Sequence, residues 1–390
     1  MSRRKIAVVT ATRAEYGLLQ CLLEHLRDDD AVELQLVVSG THLSERFGLT
    51  VRHIEADGFQ PAARVPLPLE DDSALGTARA LAAATQGLAE AFQALAPDLV
   101  LLLGDRYEML AAAQAAMVAR IPIAHLHGGE ATEGAIDEAI RHAITKMAHL
   151  HFVAAESFRQ RVIQLGEAPE RVWTVGATGL DNIARMVLLP EHELQADIGM
   201  VFQRPLFLMT YHPETLSRED PGQALRHALA VLLDTGGSVV LTGANADPGS
   251  QSIRRAAEQL ALVHADRIRL VESLGVRRYL SLMAIADVVV GNSSSGLIEA
   301  PAMGTPVVDI GARQRGRPRA AAVVHCEGDA PAIRAAVAQA LSPAHRTLAA
   351  QRQTPYGQAG AAARIAAVVR SHPLNGLLNK RFHCQGTPPA

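Results

Sequence analysis

The chain has 390 residues, of which 48% are apolar and 20% are charged, and its formal net charge is −3. This is the composition of a globular protein long enough for two hydrophobic cores. The charge balance excludes a basic nucleic-acid binder and no apolar stretch approaches a membrane span, so we expect a cytoplasmic protein with neither nucleic acid nor membrane as partner. Three cysteines without C-x-x-C spacing argue against a disulfide framework or a zinc site.

In the first half of the chain, short runs of valine, leucine and isoleucine alternate with longer helical stretches, which predicts βαβ units with mostly parallel strands. The predicted strands are residues 5–11, 32–39, 99–104, 122–127, 151–155 and 172–176. The predicted helices include residues 77–95, 107–120 and 136–150. Several of the strands are apolar without alternation, as expected when helices cover both faces of a sheet.

The same pattern restarts in the second half, where the predicted strands are residues 205–211, 238–242, 268–271, 288–291, 306–310 and 322–325. Residues 190–204 carry no strand signal and are interpreted as a connection. We therefore expect an α/β fold of two Rossmann-like domains, residues 1–190 and 191–365, with a tail, 366–390, that packs back on the first. Two such domains place ligands at the carboxyl ends of their strands, in the cleft they share.

The sharpest local motif is G-N-S-S-S-G at residues 291–296, between a predicted strand and a predicted helix. Free backbone N–H groups at a helix N-terminus, with the hydroxyls of Ser293 and Ser294 beside them and Gly296 next, can cradle a phosphate. A plain turn with serine caps is the alternative. Glu299 favours the phosphate site, because a carboxylate one turn into the helix can accept hydrogen bonds from both hydroxyls of a ribose. The alternative role of Glu299 is to compensate the helix dipole.

The loop after the first strand, T-R-A-E-Y-G, replaces the Gly-rich fingerprint expected for NAD or FAD. Arg13 suits a diphosphate, although it is also placed as a surface residue at a helix start. His42 follows the second strand, where a plain loop residue is more common than a catalytic one.

Two further strand ends carry titratable groups: Asp105 and Arg106 follow one strand, and His127 and Glu130 follow the next. Such groups at neighbouring strand ends are candidates for acid and base catalysis, and helix capping is the competing interpretation. The spacing H-x-H-x-x-E occurs once, so we expect no metal.

The remaining candidates lie on a helix and in the second half. Asp137 and Arg141 are four residues apart and share a helix face, where a solvated ion pair is the plain alternative. His212, Asn245 and Arg313 follow predicted strands of the second half, and we expect His212 to contact phosphate rather than to be purely structural.

An ordered set of motifs runs through residues 5–370: R-A-E-Y-G, G-D-R-Y-E, H-G-G-E, I-R-H-A-I-T-K, H-P-E-T, N-A-D, G-N-S-S-S-G and R-Q-R-G-R. It resembles that of the hydrolysing UDP-N-acetylglucosamine 2-epimerases, which serve sialic and legionaminic acid biosynthesis. The resemblance implies the GT-B architecture, a nucleoside diphosphate sugar as substrate, no cofactor, and a homodimer or dimer of dimers.

The resemblance also implies roles for individual residues. Those implied to bind the nucleotide or substrate are Arg13, Arg106, His212, Asn245, Ser293, Ser294, Gly296, Glu299 and Arg313. Those implied in or near the chemistry are Asp105, Asp137 and His42, beside the strand-end candidates His127 and Glu130.

His127 departs from the pattern of the family's animal members, which carry glutamate at this position. Histidine occurs there in bacterial relatives, including those that act on N,N′-diacetylbacillosamine. The expected substrate is UDP-N-acetylglucosamine, giving free N-acetylmannosamine and UDP; the alternative is UDP- or GDP-N,N′-diacetylbacillosamine, giving 2,4-diacetamido-2,4,6-trideoxymannose.

The expected chemistry is elimination followed by hydration. As the C1–O bond breaks, H2 becomes acidic, and a base (Asp105, His127 or Asp137) removes it to give a 2-acetamidoglycal. Water then adds at C1 and a proton returns to C2 on the opposite face, so two titratable groups are needed. The competing functions are a GT-B glycosyltransferase, a non-hydrolysing epimerase and a non-catalytic sugar-nucleotide binder.

Overall fold

The structure is a computed structural model that describes residues 3–133, 135–214, 220–243 and 250–384. The chain divides into two compact units. The first contains Met1–Glu130, Asp137–Asp181 and Tyr356–Ala390, and the second contains Ala131–Ile136 and Asn182–Pro355. Each unit is a parallel sheet with helices on both faces, so two Rossmann-like α/β folds are present.

The sheet of the first unit has the strand order β3-β2-β1-β4-β5-β6-β7, and all its neighbouring strands are parallel. The strands are β1 (Arg4–Thr10), β2 (Val32–Ser39), β3 (Ala63–Val65), β4 (Leu99–Leu103), β5 (Ile123–Leu126), β6 (Leu150–Val153) and β7 (Val172–Thr174). The chain moves outward from β1 to β3 and then resumes on the other side of β1. The gap between β1 and β4 is therefore a topological switch point, where such sheets bind ligands.

Helices cover both faces of this sheet: α1 (Arg13–Arg27), α2 (Val51–Ala56), α3 (Ala74–Leu95), α4 (Tyr107–Val118), α5 (Asp137–Met147), α6 (Glu156–Gln164) and α7 (Gly179–Arg185). Alternate residues of β1 enter opposite layers, since Ile6 packs with Leu19 of α1 whereas Ala7 belongs to the cluster that contains Phe92 of α3. The apolar character of every β4 position follows from this double coverage.

The second unit repeats the arrangement with the order β10-β9-β8-β11-β12-β13, again with parallel neighbours. Its strands are β8 (Leu206–Thr210), β9 (Ser238–Thr242), β10 (Ile268–Val271), β11 (Val288–Gly291), β12 (Val307–Ile310) and β13 (Val323–Cys326). Its helices are α8 (Glu191–Ile198), α9 (Pro221–Asp234), α10 (Ser250–Val263), α11 (Gly275–Ile285), α12 (Ser294–Met303), α13 (Ala330–Leu341) and α14 (Pro343–Ala349). The switch point of this sheet lies between β8 and β11.

The unit boundaries differ from the expected ones, 190/191 and 365/366. The first unit ends at Asp181 and takes the chain back from Tyr356. Asp181 is the physical reason: its carboxylate accepts from the backbone N–H groups of Gly360, Ala361 and Ala362, which begin α15 (Ala361–Ser371). α15 packs on α1, so the returning segment shares the first core.

The segment Ala131–Ile136 is a second difference, because it belongs to the second unit although both its neighbours in sequence belong to the first. Arg317 Nε donates to the Ala131 carbonyl at 2.7 Å, which ties the segment to the loop after β12. Sequence patterns do not show that such a short segment belongs to the other unit, since six residues are too few for a periodic signal.

Two details of secondary structure also differ from expectation. The three-residue edge strand β3 was not predicted, and part of the expected connection at 190–204 is the helix α8. Among the described residues, no helix is long and apolar enough to cross a membrane.

Candidate active site

The switch point of the first unit lies where β1 and β4 end, and a buried charged cluster follows both strands. Glu15 of α1 accepts hydrogen bonds from the backbone N–H groups of Ala11 and Thr12, at 2.8 and 3.1 Å. Arg106, before α4, donates to the buried carboxylate of Glu108 at 3.2 Å. Burial raises the pKa of Glu15 to about 7, and the charge of Glu108 adds to the effect.

Arg141 of α5 is the central cation of the site and is 1% exposed. Its Nη2 contacts the carboxylate of Asp105, and its Nη1 donates to the Glu130 carbonyl at 3.0 Å and to Glu138 Oε2 at 2.8 Å. One guanidinium thus joins the end of β4 to the loop after β5 and to α5. The solvated ion pair considered for Arg141 is wrong, because the side chain is enclosed.

His127 and Glu130 form a buried pair in the loop after β5. His127 Nδ1 lies 2.6 Å from Glu130 Oε1, and Nε2 lies 3.2 Å from the hydroxyl of Thr178. The backbone of His127 has φ +63°, a left-handed conformation that is uncommon for a residue with a Cβ. A strained backbone at a buried titratable side chain is typical of functional sites.

Two other histidines of this unit are held neutral. His125 Nε2 donates to the Gly104 carbonyl at 2.8 Å, and burial lowers its pKa to about 3. His42 is 0% exposed, lies between the hydroxyls of Thr10 and Thr50 at 3.1 and 2.8 Å, and has its pKa lowered to about 3 by burial. A catalytic role for His42 stays a prediction, and this enclosure favours positioning over contact with substrate.

Asp137 and Arg13 stand at helix starts. Asp137 is the first residue of α5 and is 9% exposed, on the same helix as Arg141. Arg13 is the first residue of α1 and is half-buried, directly after the end of β1. The first unit thus contains Arg13, Asp105, Arg106, His127, Glu130 and Asp137 in loops and helix starts that follow neighbouring strands.

In the second unit the motif at 291–296 lies at the switch point between β8 and β11. Gly291 pairs with Thr210 and has φ +132°, and a Cβ on it would overlap the Thr210 carbonyl oxygen. Only glycine lets the loop pass so close to the neighbouring strand. α12 then begins at Ser294, with the hydroxyl of Ser293 accepting from the Ser295 N–H at 3.4 Å.

Asn292 connects this loop to two other strand ends. Its side chain bonds to the backbone of His212, and its carbonyl accepts from Gln314 Nε2 at 2.8 Å and from Arg313 Nη1 at 3.3 Å. Asn292 is 0% exposed, so these bonds are shielded from water. His212 and Arg313, both expected at the nucleotide, therefore meet at the loop of α12.

The start of α12 presents a row of hydroxyls. Ser295 Oγ lies 3.0 Å from Ser293 Oγ and 2.6 Å from the Tyr279 hydroxyl. Gly296 packs against β12, since a Cβ there would lie 3.2 Å from Val307. Glu299 follows on the same helix and is 7% exposed. Asn245, the remaining expected contact, lies outside the described residues.

Several residues of the two sites were not singled out as site residues from sequence. Arg141 was named beside Asp137 on one helix face, with a solvated ion pair as the alternative, but it was not assigned a role, and neither were Thr178, Glu108, Asn292 and Gln314. The signal for Arg141 was its place four residues after Asp137, on the same face of the helix. Gln314 and Asn292 carried no such signal, because their contacts join segments far apart in the chain.

Within the described residues, no group of three or more histidine, cysteine, aspartate or glutamate side chains is arranged to hold a metal ion.

Residues 24–370 match the family model described as UDP-N-acetylglucosamine 2-epimerase. The chain belongs to this family. It is thus an enzyme of the epimerase family, as the ordered motifs implied.

Three relatives with specific names align over most of their length. The hydrolysing GDP/UDP-N,N′-diacetylbacillosamine 2-epimerase of Campylobacter jejuni is 40% identical over 84% of this epimerase-family chain and 85% of its own. The hydrolysing UDP-N,N′-diacetylbacillosamine 2-epimerase of Legionella pneumophila is 37% identical over 87% and 89%. A UDP-N-acetylglucosamine 2-epimerase of Neisseria meningitidis is 29% identical over 87% and 88%.

Solved structures share the fold at lower identity. S. aureus MnaA, in a co-structure with UDP, has a TM-score of 0.79 at 20% identity and covers 98% of this chain and 100% of its own. UDP-GlcNAc 2-epimerase from Neisseria meningitidis, bound to UDP-GlcNAc, has a TM-score of 0.78 at 18% identity, with coverage of 94% and 99%. The epimerase-family chain therefore has the two-Rossmann fold of these enzymes.

Proposed function

We propose that the chain is a hydrolysing 2-epimerase of nucleoside diphosphate N,N′-diacetylbacillosamine that releases 2,4-diacetamido-2,4,6-trideoxymannose and the nucleoside diphosphate. The observation that carries the proposal is the pair of relatives named for this sugar, at 40% and 37% identity. The relative named for UDP-N-acetylglucosamine is less similar, at 29%. The alternative sugar of the sequence analysis is therefore favoured over UDP-N-acetylglucosamine.

The second unit supplies the nucleotide site in this proposal. Backbone N–H groups and serine hydroxyls at the start of α12 donate hydrogen bonds to the diphosphate, with His212 and Arg313 beside them. Glu299 receives the ribose hydroxyls. These contacts stabilise the charge that develops as the C1–O bond breaks, without requiring a metal ion.

The first unit supplies the proton transfers. A base takes the proton from C2, the C2–H electron pair forms the C1=C2 bond, and the C1–O pair leaves with the diphosphate. A second group then donates a proton to C2 on the opposite face, where the C1=C2 electron pair forms the new C2–H bond. Water adds its oxygen to C1 and releases its surplus proton to solvent. The groups that carry out these two proton transfers are among Asp105, His127 and Asp137. Arg141 holds Asp105 in place.

The substrate test is incubation of the full-length protein with UDP-N-acetylglucosamine, UDP-N,N′-diacetylbacillosamine and GDP-N,N′-diacetylbacillosamine in separate reactions. Nucleotide release and deuterium incorporation at C2 in D₂O are followed. We expect both signals with a diacetylbacillosamine substrate at a kcat/KM at least tenfold above that for UDP-N-acetylglucosamine. A preference for UDP-N-acetylglucosamine would refute the sugar assignment, and return of an intact sugar nucleotide would indicate a non-hydrolysing epimerase.

Two variants separate chemistry from binding. Asp105→Asn is expected to keep nucleotide affinity while turnover is lost, because the amide cannot exchange the proton. Glu299→Ala is expected to weaken UDP or GDP binding in calorimetry, since the ribose loses its acceptor. Unchanged turnover in the first variant, or unchanged affinity in the second, removes that residue from its role. We also propose a homodimer or dimer of dimers, which light scattering measures.

A further inference from the structure

His127 has a buried partner on each ring nitrogen. Glu130 Oε1 lies 2.6 Å from Nδ1 and the Thr178 hydroxyl lies 3.2 Å from Nε2. His127, Glu130 and Thr178 are 9%, 2% and 1% exposed, so water competes little for these contacts. The two partners differ in chemistry, and that difference decides which nitrogen carries the proton.

An ionised carboxylate only accepts hydrogen bonds, whereas a hydroxyl both donates and accepts. With Glu130 ionised, Nδ1 of a neutral ring would carry the hydrogen and donate it to Glu130. Nε2 keeps its lone pair and accepts from the Thr178 hydroxyl. If Nε2 then takes a proton, the same hydroxyl can turn and accept from it, so the ring stays in place in both protonation states.

The backbone conformation around His127 restricts the orientation of its imidazole ring. His127 has φ +63°, and the next two residues are glycines with little free space. A Cβ on Gly128 would lie 3.1 Å from His125 Nδ1, and one on Gly129, with φ +73°, would lie 2.5 Å from the Phe158 carbonyl oxygen. The tight turn places the imidazole next to Glu130. It requires a left-handed backbone conformation at His127, which is strained for a residue other than glycine.

His125, two residues earlier and within β5, provides a contrast. Its Nε2 faces the Gly104 carbonyl at 2.8 Å, and a carbonyl only accepts. His125 must therefore carry its hydrogen on Nε2. Neighbouring histidines are thus expected to have opposite tautomers, which follows from their partners alone.

We propose that Glu130 and Thr178 are positioning residues that hold His127 with its lone pair on Nε2, and that His127, not Glu130, exchanges the proton with the substrate. The inference rests on the proposed function and assigns roles within that site. The transferred proton forms the Nε2–H bond, and the carboxylate of Glu130 stabilises the resulting imidazolium through Nδ1–H.

The tautomer is measured by long-range ¹H–¹⁵N correlation NMR on full-length protein labelled with ¹⁵N-histidine. His127→Gln and His125→Gln assign the two rings. We expect His127 to have a protonated Nδ1 and an unprotonated Nε2, and His125 to have the reverse. A wild-type His127 with its hydrogen on Nε2 would overturn the proposal.

Variants test the positioning roles. Thr178→Val removes the hydroxyl but keeps the shape. Glu130 still selects the Nδ1–H tautomer, so we expect the tautomer to persist, while kcat falls about tenfold with KM unchanged because the imidazole loses one of its two contacts. Thr178→Ser is expected to restore kcat. Thr85→Val is the matched control, because this half-buried hydroxyl donates to the Leu81 carbonyl within α3, at 2.9 Å. Unchanged kcat in Thr178→Val would remove Thr178 from the proposal.

Glu130→Gln removes the charge and the acceptor-only partner, because the amide can present either its oxygen or its NH2 group to Nδ1. We expect mixed tautomers of His127 and a kcat lower by about 10² or more. Turnover at the wild-type rate would contradict the role of Glu130. If the wild-type protein releases no nucleotide from any substrate, the proposed function fails, while the NMR measurement still decides the tautomer.

Discussion

Asn292 and His212 exchange two hydrogen bonds across 80 residues of sequence: the His212 N–H donates to Asn292 Oδ1 at 2.7 Å, and Asn292 Nδ2 donates to the His212 carbonyl at 2.9 Å. An asparagine side chain here satisfies the donor and the acceptor of one backbone residue, as a strand neighbour would. The loop after β8 and the loop after β11 are thereby fixed to each other within the second unit.

Replacing Asn292 with alanine should leave the buried backbone groups of His212 without these partners. We expect the free energy of unfolding to fall by about 3 kcal/mol and UDP or GDP affinity to fall more than tenfold. Urea denaturation and calorimetry measure the two effects. Asn375→Ala, at an exposed position, is the control. Wild-type affinity in a folded Asn292→Ala protein would contradict the expectation.

Arg141 should be essential for both folding and chemistry. Arg141→Ala leaves Asp105 and the Glu130 carbonyl without a buried cation, so we expect unfolding to become easier by about 3–5 kcal/mol. Arg141→Lys keeps the positive charge but loses the planar guanidinium with its several N–H donors. An intermediate loss of stability and kcat is therefore expected. The exposed Arg79→Ala on α3 should change stability by less than about 0.5 kcal/mol. Equal effects of the Arg141→Ala and Arg79→Ala variants would count against the network.

Glu15 should make stability depend on pH near neutrality. Its pKa is raised by burial and by Glu108 from 4.5 to about 7, so the unfolded chain loses this proton first as pH rises. Stability should therefore decrease between about pH 4.5 and 7, and Glu15→Gln should remove that decrease. Above pH 7 the variant should be more stable than wild type by up to about 3 kcal/mol.

Denaturant titrations at pH 5 and pH 8 measure the effect of Glu15→Gln. Glu90→Gln on the exposed face of α3 is the matched control, because it makes the same chemical change in water. A Glu15→Gln protein that gains no stability relative to wild type between pH 5 and pH 8 would show that Glu15 is ionised throughout this range.

Gly291→Ala should disrupt the switch point of the second unit. The new Cβ would overlap the Thr210 carbonyl oxygen, and φ +132° disfavours any side chain. We expect a loss of more than about 3 kcal/mol of stability together with nucleotide binding. Gly236→Ala, with φ +85° and no atom within 4 Å of the new Cβ, should cost only about 1 kcal/mol. Similar losses in both variants would refute the steric argument.

Local sequence signals were sufficient for the fold because strand and helix periodicity is written in neighbouring residues. The bounds of Val32–Ser39, Ser238–Thr242 and Val288–Gly291 agree with the predicted strands. β3 was missed because three residues at a sheet edge, with the polar Arg64 between Ala63 and Val65, give no apolar run. The unit boundaries depend on Asp181 capping α15, a contact between residues 179 or more positions apart.

For the site, in contrast, local sequence signals were not sufficient. The sequence by itself determined the two Rossmann-like sheets, the glycine and serine loop of α12, and the titratable residues after β4 and β5. Only the tertiary structure decided which of these residues meet: Arg141 with Asp105, 36 positions away, and Thr178 with His127, 51 positions away. The physical reason is that periodicity reports which face of an element is buried, whereas a hydrogen bond depends on where distant elements place their side chains in space.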